Sequence, residues 1–265
     1  MKKLIYYVVG ILLVLLITGN VFTYPLQHLF IFRPDVLEQD HQFAFDSAFE
    51  EVDLKTADGG KINALHFKDP KAKGVILYFH GNAGNLVRWG ELNDQFRAQG
   101  YDLFIMDFRG FGKSTGKLSE RLFYQDAEQC YAYVAEQYPA DEIIIYGRSM
   151  GSGPASYLAS QVEAKHVILE TPFHSIKDLF YAYYPFLPRM FVFKFSFSNY
   201  QHLKKVDAPI TIFHGSNDFL VPQDGSLKLK EVLKPGDAYV SIAGGTHNDL
   251  FIFAQYQDTL SEILR

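Results

Sequence analysis

A single cysteine, Cys130, is all that the 265 residues contain. An internal disulfide and any zinc cluster built on cysteines are therefore excluded. Charge is also sparse and nearly balanced. The 25 Lys and Arg face 30 Asp and Glu, leaving a net −5 with no basic stripe. Nucleic acid is thereby disfavoured as a partner, because binding it needs clustered cations to neutralise phosphates. Internal repeats and low-complexity linkers are missing. The acidic residues show no ligand spacing, so neither a metal nor an organic cofactor is expected. No Asp, Glu, Lys or Arg occurs between Leu4 and Phe32.

That last absence marks a segment of its own. Met1-Lys2-Lys3 leads into LIYYVVGILLVLLITGNVF, and about 20 apolar residues in a helix match the roughly 30 Å of bilayer hydrocarbon. No small-x-small cleavage site follows the run and no cysteine offers a lipid site, which favours an uncleaved transmembrane helix over a signal peptide. Two lysines precede the run and Arg33 follows it. This bias puts the N-terminus inside and a domain of residues 36–265 outside, periplasmic in a bacterium, with residues 1–35 as membrane anchor and exit segment.

The chain as a whole is 48% hydrophobic, and the part beyond the anchor is long enough for one globular core. Apolar runs predict strands over Glu51–Lys55, Ile62–Phe67, Val75–Phe79, Leu103–Asp107, Glu142–Tyr146, His166–Glu170, Ile210–Phe213 and Ala238–Ile242. Helical patterns cover Leu86–Gln99, Glu120–Gln137, Gly151–Ser160, Ile176–Tyr183, Ser226–Val232 and Asp249–Leu264. The alternation predicts an α/β protein with a mainly parallel eight-stranded sheet and helices on both faces. Asp58-Gly59-Gly60 makes the first two strands a hairpin at one edge. Cys130 shares a helical face with Phe123, Ala127, Tyr131 and Val134, so it reads as a buried apolar residue. Residues 172–205 are dense in aromatics, with Pro185 and Pro188 interrupting any helix. They form a short aromatic cap between the sixth and seventh strands, either packing on the sheet or walling an acyl chain.

The chemistry begins at IIIYGRSMGSG, Ile143 to Gly153. A strand runs into Gly147-Arg148-Ser149-Met150-Gly151 and small residues follow, the strand–turn–helix setting of a G-x-S-x-G nucleophile elbow. A serine hydroxyl needs a base, and the base needs an orienting acid. Asp218 follows the apolar strand ITIF and His247 follows YVSI, in the chain order Ser, Asp, His. Ser149, His247 and Asp218 are thus the expected nucleophile, base and acid. The N–H of Met150 is one expected oxyanion donor. The second is that of Asn82 or Ala83 in YFHGNAGN, with Asn82 favoured. Asp107 precedes the nucleophile and reads as a structural partner of Arg109 or of loop amides. His80, His174 and His214 read as structural or pocket-lining, and Asn248 and Asp249 as caps of the last helix.

Six motifs occur in order: HGNAGN from His80, DFRGFGKSTG from Asp107, GRSMGSG from Gly147, ETPFHS from Glu170, HGSNDFLVP from His214 and GGTHND from Gly244. From about Phe30 onward the chain resembles the Bem46-like group of α/β-hydrolase-domain proteins, which includes membrane-associated serine hydrolases, some of them protein depalmitoylases. The resemblance implies the α/β-hydrolase fold, the same triad and the same oxyanion loop.

The expected activity is hydrolysis of a carboxylic ester or thioester of a small-molecule or lipid-like acyl substrate. Two alternatives remain open. One is a peptidase or amidase of the serine aminopeptidase-like type, which the acid-poor cap disfavours. The other is a catalytically silent membrane-tethered binding protein.

Overall fold

Strands with no polar alternation must be covered on both faces, and the centre of the sheet obeys this. The computed structural model describes residues 2–187 and 189–265, and the side chains of residues 4, 5, 8, 9, 12, 13 and 15 lie outside that description, as does Pro188. Eight strands form one sheet: β1 (Phe49–Lys55), β2 (Lys61–Phe67), β3 (Val75–Phe79), β4 (Asp102–Met106), β5 (Ile143–Arg148), β6 (His166–Glu170), β7 (Ile210–Gly215) and β8 (Ala238–Ile242). Every residue of β3, β4 and β5 is buried. The spatial order is β8-β7-β6-β5-β3-β4-β2-β1. The strands from β3 to β8 pair in parallel, whereas β2 runs antiparallel to both its neighbours. The predicted sheet and edge hairpin are therefore present.

Two apolar cores cover the two faces. One contains Phe79, Phe108, Phe123, Leu158 and Leu169, and the other Tyr78, Phe96, Tyr146, Phe213 and Tyr256. Helices Glu120–Ala135 and Ser152–Ala159 contribute to the first, and Ala254–Ile263 to the second. Cys130 lies in the first core, and burial pushes its thiol pKa up, so it is an apolar filler rather than a nucleophile.

Some helices differ from the sequence reading. The segment expected as one helix over Leu86–Gln99 is two short α-turns, Leu86–Trp89 and Asn93–Arg97, joined by a 3₁₀ turn. A Cβ on Gly90 would lie 2.4 Å from Phe45 Cζ, so the chain there presses directly on a ring. The last helix begins at Ala254, after a separate 3₁₀ turn over Leu250–Ile252. Asp249 accepts from the Thr246 N–H at 2.6 Å, and Asn248 accepts from Arg148. Neither caps the final helix.

The N-terminal region requires a larger correction. A helix spans Lys2–Ile31, yet among the described residues no helix is long and apolar enough to cross a membrane. This overturns the expected transmembrane anchor, together with the single-pass topology and the outer-side location built on it. The second half of the helix is not a bare apolar rod. It contains Pro25, and its amides bond to the segment after β6. Asn20 Oδ1 accepts from Val192 N at 2.6 Å, and Gln27 both donates to Val192 O and accepts from Lys194 N at 2.7 Å. Just beyond the helix, Phe32 is buried and stacks on Phe123 with ring centroids 5.2 Å apart.

Candidate active site

Strand β5 delivers Ser149 into a turn that only small neighbours permit. Ser149 has φ 51°, in the left-handed region that costs a non-glycine residue energy. A Cβ on Gly151 would sit 2.0 Å from Phe79 O, and one on Gly147 would sit 2.5 Å from Ala155 Cβ. The two glycines are therefore required by close backbone approach, which lets the turn fold down onto β3 and the following helix. The 3₁₀ turn Ser149–Gly151 passes into helix Ser152–Ala159, and Ser152 Oγ donates to Ser149 O at 2.6 Å.

Three loops converge on this turn. His247, after β8, holds Nε2 3.0 Å from Ser149 Oγ. Its Nδ1 lies 2.7 Å from Asp218 Oδ2, after β7. With the ring proton on Nδ1, His247 donates to the carboxylate and accepts from the serine hydroxyl. Asp218 Oδ1 accepts from the N–H groups of Leu220 at 2.9 Å and Val221 at 2.8 Å. Burial alone would raise the Asp218 pKa. The His214 and His247 contacts and the Val221 N–H outweigh it, holding the carboxyl well below its ordinary value. The acid is thus ionised at neutral pH and fixes the imidazole.

The loop His80–Asn85, expected to carry an oxyanion donor, passes beside Ser149. A Cβ on Gly81 would lie 3.8 Å from Ser149 Cβ. The end of the N-terminal helix staples this loop in place. Asn82 Nδ2 donates to Ile31 O at 3.0 Å, Arg33 N donates to Asn82 O at 2.8 Å, and Ala83–Gly84 pairs with Arg33–Pro34. Met150 follows the serine at the start of its turn, where backbone N–H groups have no partner within the helix.

Most of the other candidate acids and bases have partners away from Ser149, while His214 packs behind Asp218 with Nε2 3.4 Å from its Oδ2. Asp107 is buried with Oδ1 3.2 Å from His80 Nε2, and Leu86 N donates to its other oxygen. Arg109 is not its partner: that guanidinium forks onto Asp126, at 2.5 and 2.7 Å, and Asp58. His174 bonds to Asp178 at 2.6 Å, and His214 donates to Val221 O at 2.8 Å.

Sequence reading missed a buried brace behind His247. Arg148 and Glu170 are register partners at the ends of β5 and β6, with Nε 3.2 Å from Oε1. Arg148 Nη2 donates to His247 O at 3.0 Å and to Asn248 Oδ1 at 3.1 Å. Tyr146 donates to Glu170 at 2.5 Å, and Tyr256 lies 2.8 Å from Tyr146. The available signal was a pair of opposite charges, each closing an otherwise apolar strand. Among the described residues no group of His, Cys, Asp and Glu could hold a metal ion.

Residues 70–199 match the family described as "Serine aminopeptidase, S33". A human alpha/beta hydrolase domain-containing protein 17B is 28% identical over 224 residues, covering 82% of this chain and 75% of the human protein. An uncharacterized protein of Mycobacterium tuberculosis is 28% identical over 208 residues, covering 76% of this chain and 73% of that protein. Among solved structures, a Pyrococcus furiosus esterase superposes with TM-score 0.69 at 18% identity, covering 88% of this chain and 97% of the esterase. The thioesterase domain from the curacin biosynthetic pathway superposes with TM-score 0.60 at 18% identity, covering 82% and 99%. At such identities the structural likenesses speak for the fold alone. The sheet order, the family match over just under half of the chain and the relatives together support membership of the α/β-hydrolase superfamily.

Proposed function

We propose that the protein is a serine hydrolase that cleaves carboxylic esters or thioesters of acyl-chain substrates through an acyl-enzyme. The observation that carries this reading is the continuous chain from Ser149 Oγ to His247 Nε2 at 3.0 Å and from His247 Nδ1 to Asp218 at 2.7 Å. Ser149 attacks the acyl carbonyl carbon while His247 takes its proton. Asp218 stabilises the imidazolium that forms. The N–H groups of Met150 and of Asn82 or Ala83 receive the oxyanion, each worth about 2.7–4 kcal/mol at the transition state. Collapse expels the alcohol or thiol, which takes the proton from His247. Water, activated by the same imidazole, then releases the acid. Residues 36–265 form the catalytic domain on this reading, with residues 172–205 as its cap.

Ester over amide is favoured by the segment that covers the site. Its Asp178 is already bonded to His174 and Ser175, so it offers no free carboxylate to hold the amine of a peptide substrate. The match to a family described by its aminopeptidases keeps the amide reading as the competitor. Turnover of p-nitrophenyl esters, compared with a panel of aminoacyl amides, tests both. Ester turnover that is lost in Ser149→Ala is expected. Ester turnover that survives the substitution in full contradicts the proposal.

A further inference from the structure

An apolar cleft of about 340 Å³ lies between the N-terminal helix and the segment after β6. Its size falls in the range of about 300–1,000 Å³ typical of small-molecule sites. Phe30 and Ile31 supply one wall, and Phe180, Tyr184, Phe191 and Phe193 the other. No charged residue lines it. The two polar side chains on the helix wall are already engaged. Thr23 Oγ1 donates to Gly19 O at 2.8 Å, and Gln27 uses both ends of its amide on Val192 and Lys194. Such a lining recognises hydrocarbon and offers nothing to a charged headgroup.

Both walls are fixed to the candidate active site. Ile31 accepts the hydrogen bond from Asn82 in the oxyanion loop. Across the cleft, Tyr183, the neighbour of Tyr184, donates its hydroxyl to Phe219 O at 2.6 Å, next to Asp218. A hydrogen bond on each side thus ties the cleft to the two loops that carry Asn82 and Asp218. The alcohol or thiol must leave after the first step, whereas the acyl group stays bonded to the serine through both. A cleft tied down on both sides suits the part that stays.

We infer that this cleft, one wall of it built by the N-terminal helix, seats the linear hydrocarbon chain of the acyl group transferred to Ser149. The inference rests on the serine-hydrolase reading above and adds the location of the chain. Burying each further methylene favours binding about fourfold until the cleft is filled.

Two experiments test it. First, p-nitrophenyl acetate and octanoate are compared in the unmodified protein and in Thr23→Phe, which places a ring in the cleft. The octanoate-to-acetate ratio of kcat/KM is expected to exceed tenfold and to fall at least tenfold in the variant. A ratio unchanged by the substitution overturns the inference, as does a length preference that appears only when the alcohol part of an acetate ester is lengthened. Second, Cys130 is fully buried, so Thr23→Cys presents the reactive thiol. In a Ser149→Ala background, dodecanoate below its micellar concentration is expected to slow maleimide labelling of that thiol several-fold, and no protection overturns the inference. This second readout needs no turnover. Failure of every ester as a substrate would count against the serine-hydrolase reading, while loss of protection counts against the cleft.

Discussion

The guanidinium of Arg148 donates to the main-chain oxygen of His247 across 3.0 Å while its Nε faces the Glu170 carboxylate. The residue just before Ser149 thus holds the backbone of His247, whose ring nitrogen lies 3.0 Å from the serine hydroxyl. Burial opposes the charge on Arg148, and Glu170 more than restores it, so Arg148 stays charged. Replacing Arg148 by Lys keeps the charge but loses the planar fork that reaches Glu170 and His247 together. A hydrogen bond from a charged group contributes about 1.5–3 kcal/mol. If that is expressed at the transition state, kcat falls about 10- to 100-fold with little change in KM. Steady-state kinetics of Arg148→Lys checks this, and an unchanged kcat shows that the loop is held without the brace.

Asp218→Asn removes the acceptor that selects the Nδ1–H tautomer of His247. The amide can present its NH₂ to the ring and stabilise the wrong tautomer. The expected loss in kcat is on the order of 10⁴-fold, with the fold intact by circular dichroism. Activity within tenfold of the unmodified protein would remove Asp218 from the proposed relay.

Gly151→Ala tests the turn rather than the chemistry. The added methyl would lie 2.0 Å from Phe79 O, which is main chain of β3 and cannot swing aside. Such overpacking costs about 3 kcal/mol. Chemical denaturation should show that loss, and esterase activity should fall with it because Ser149 cannot keep its φ of 51°. Gly225→Ala is the control, since a Cβ there meets nothing within 4 Å.

Three buried or half-buried histidines should make the fold lose stability in mild acid. Burial lowers the pKa values of His66, His166 and His202 to about 4. In the unfolded chain each titrates near 6.5. Between those values the unfolded state binds more protons, so stability rises with pH. It is fully present above about 6.5 and is lost as pH falls through 4. The lowered pKa of Asp218 adds stability present above 3.8 and lost below it. Urea midpoints at pH 7.5, 5.5 and 4.5 should decrease in that order, and His166→Gln should shallow the slope. A midpoint that stays level down to pH 4.5 contradicts this account.

The sheet was legible because buried parallel strands are uninterrupted apolar runs, as in Ile143–Tyr146 and Val75–Phe79. Ser149, Asp218 and His247 were legible as positions because each stands where such a run stops. The brace was not, because Arg148 and Glu170 meet across two strands and the sequence gives register only after the sheet is known. The docking of the N-terminal helix was hidden for the same reason. Asn20 and Gln27 find their partners more than 160 residues away. Apolar composition was therefore read as a membrane span, while the bonds that tie its second half to the protein were invisible. The segment Leu86–Gln99 had a helical pattern, but the pressure of Phe45 on Gly90 is a tertiary fact.

The central claim is that Ser149 is an activated nucleophile. Fluorophosphonate labelling of the full chain, followed by mass mapping of the modified peptide, measures this directly. The account requires one adduct, on Ser149, forming at least 100-fold more slowly when His247 is replaced by Ala. An adduct elsewhere, or labelling of Ser149 at an undiminished rate without His247, would contradict it.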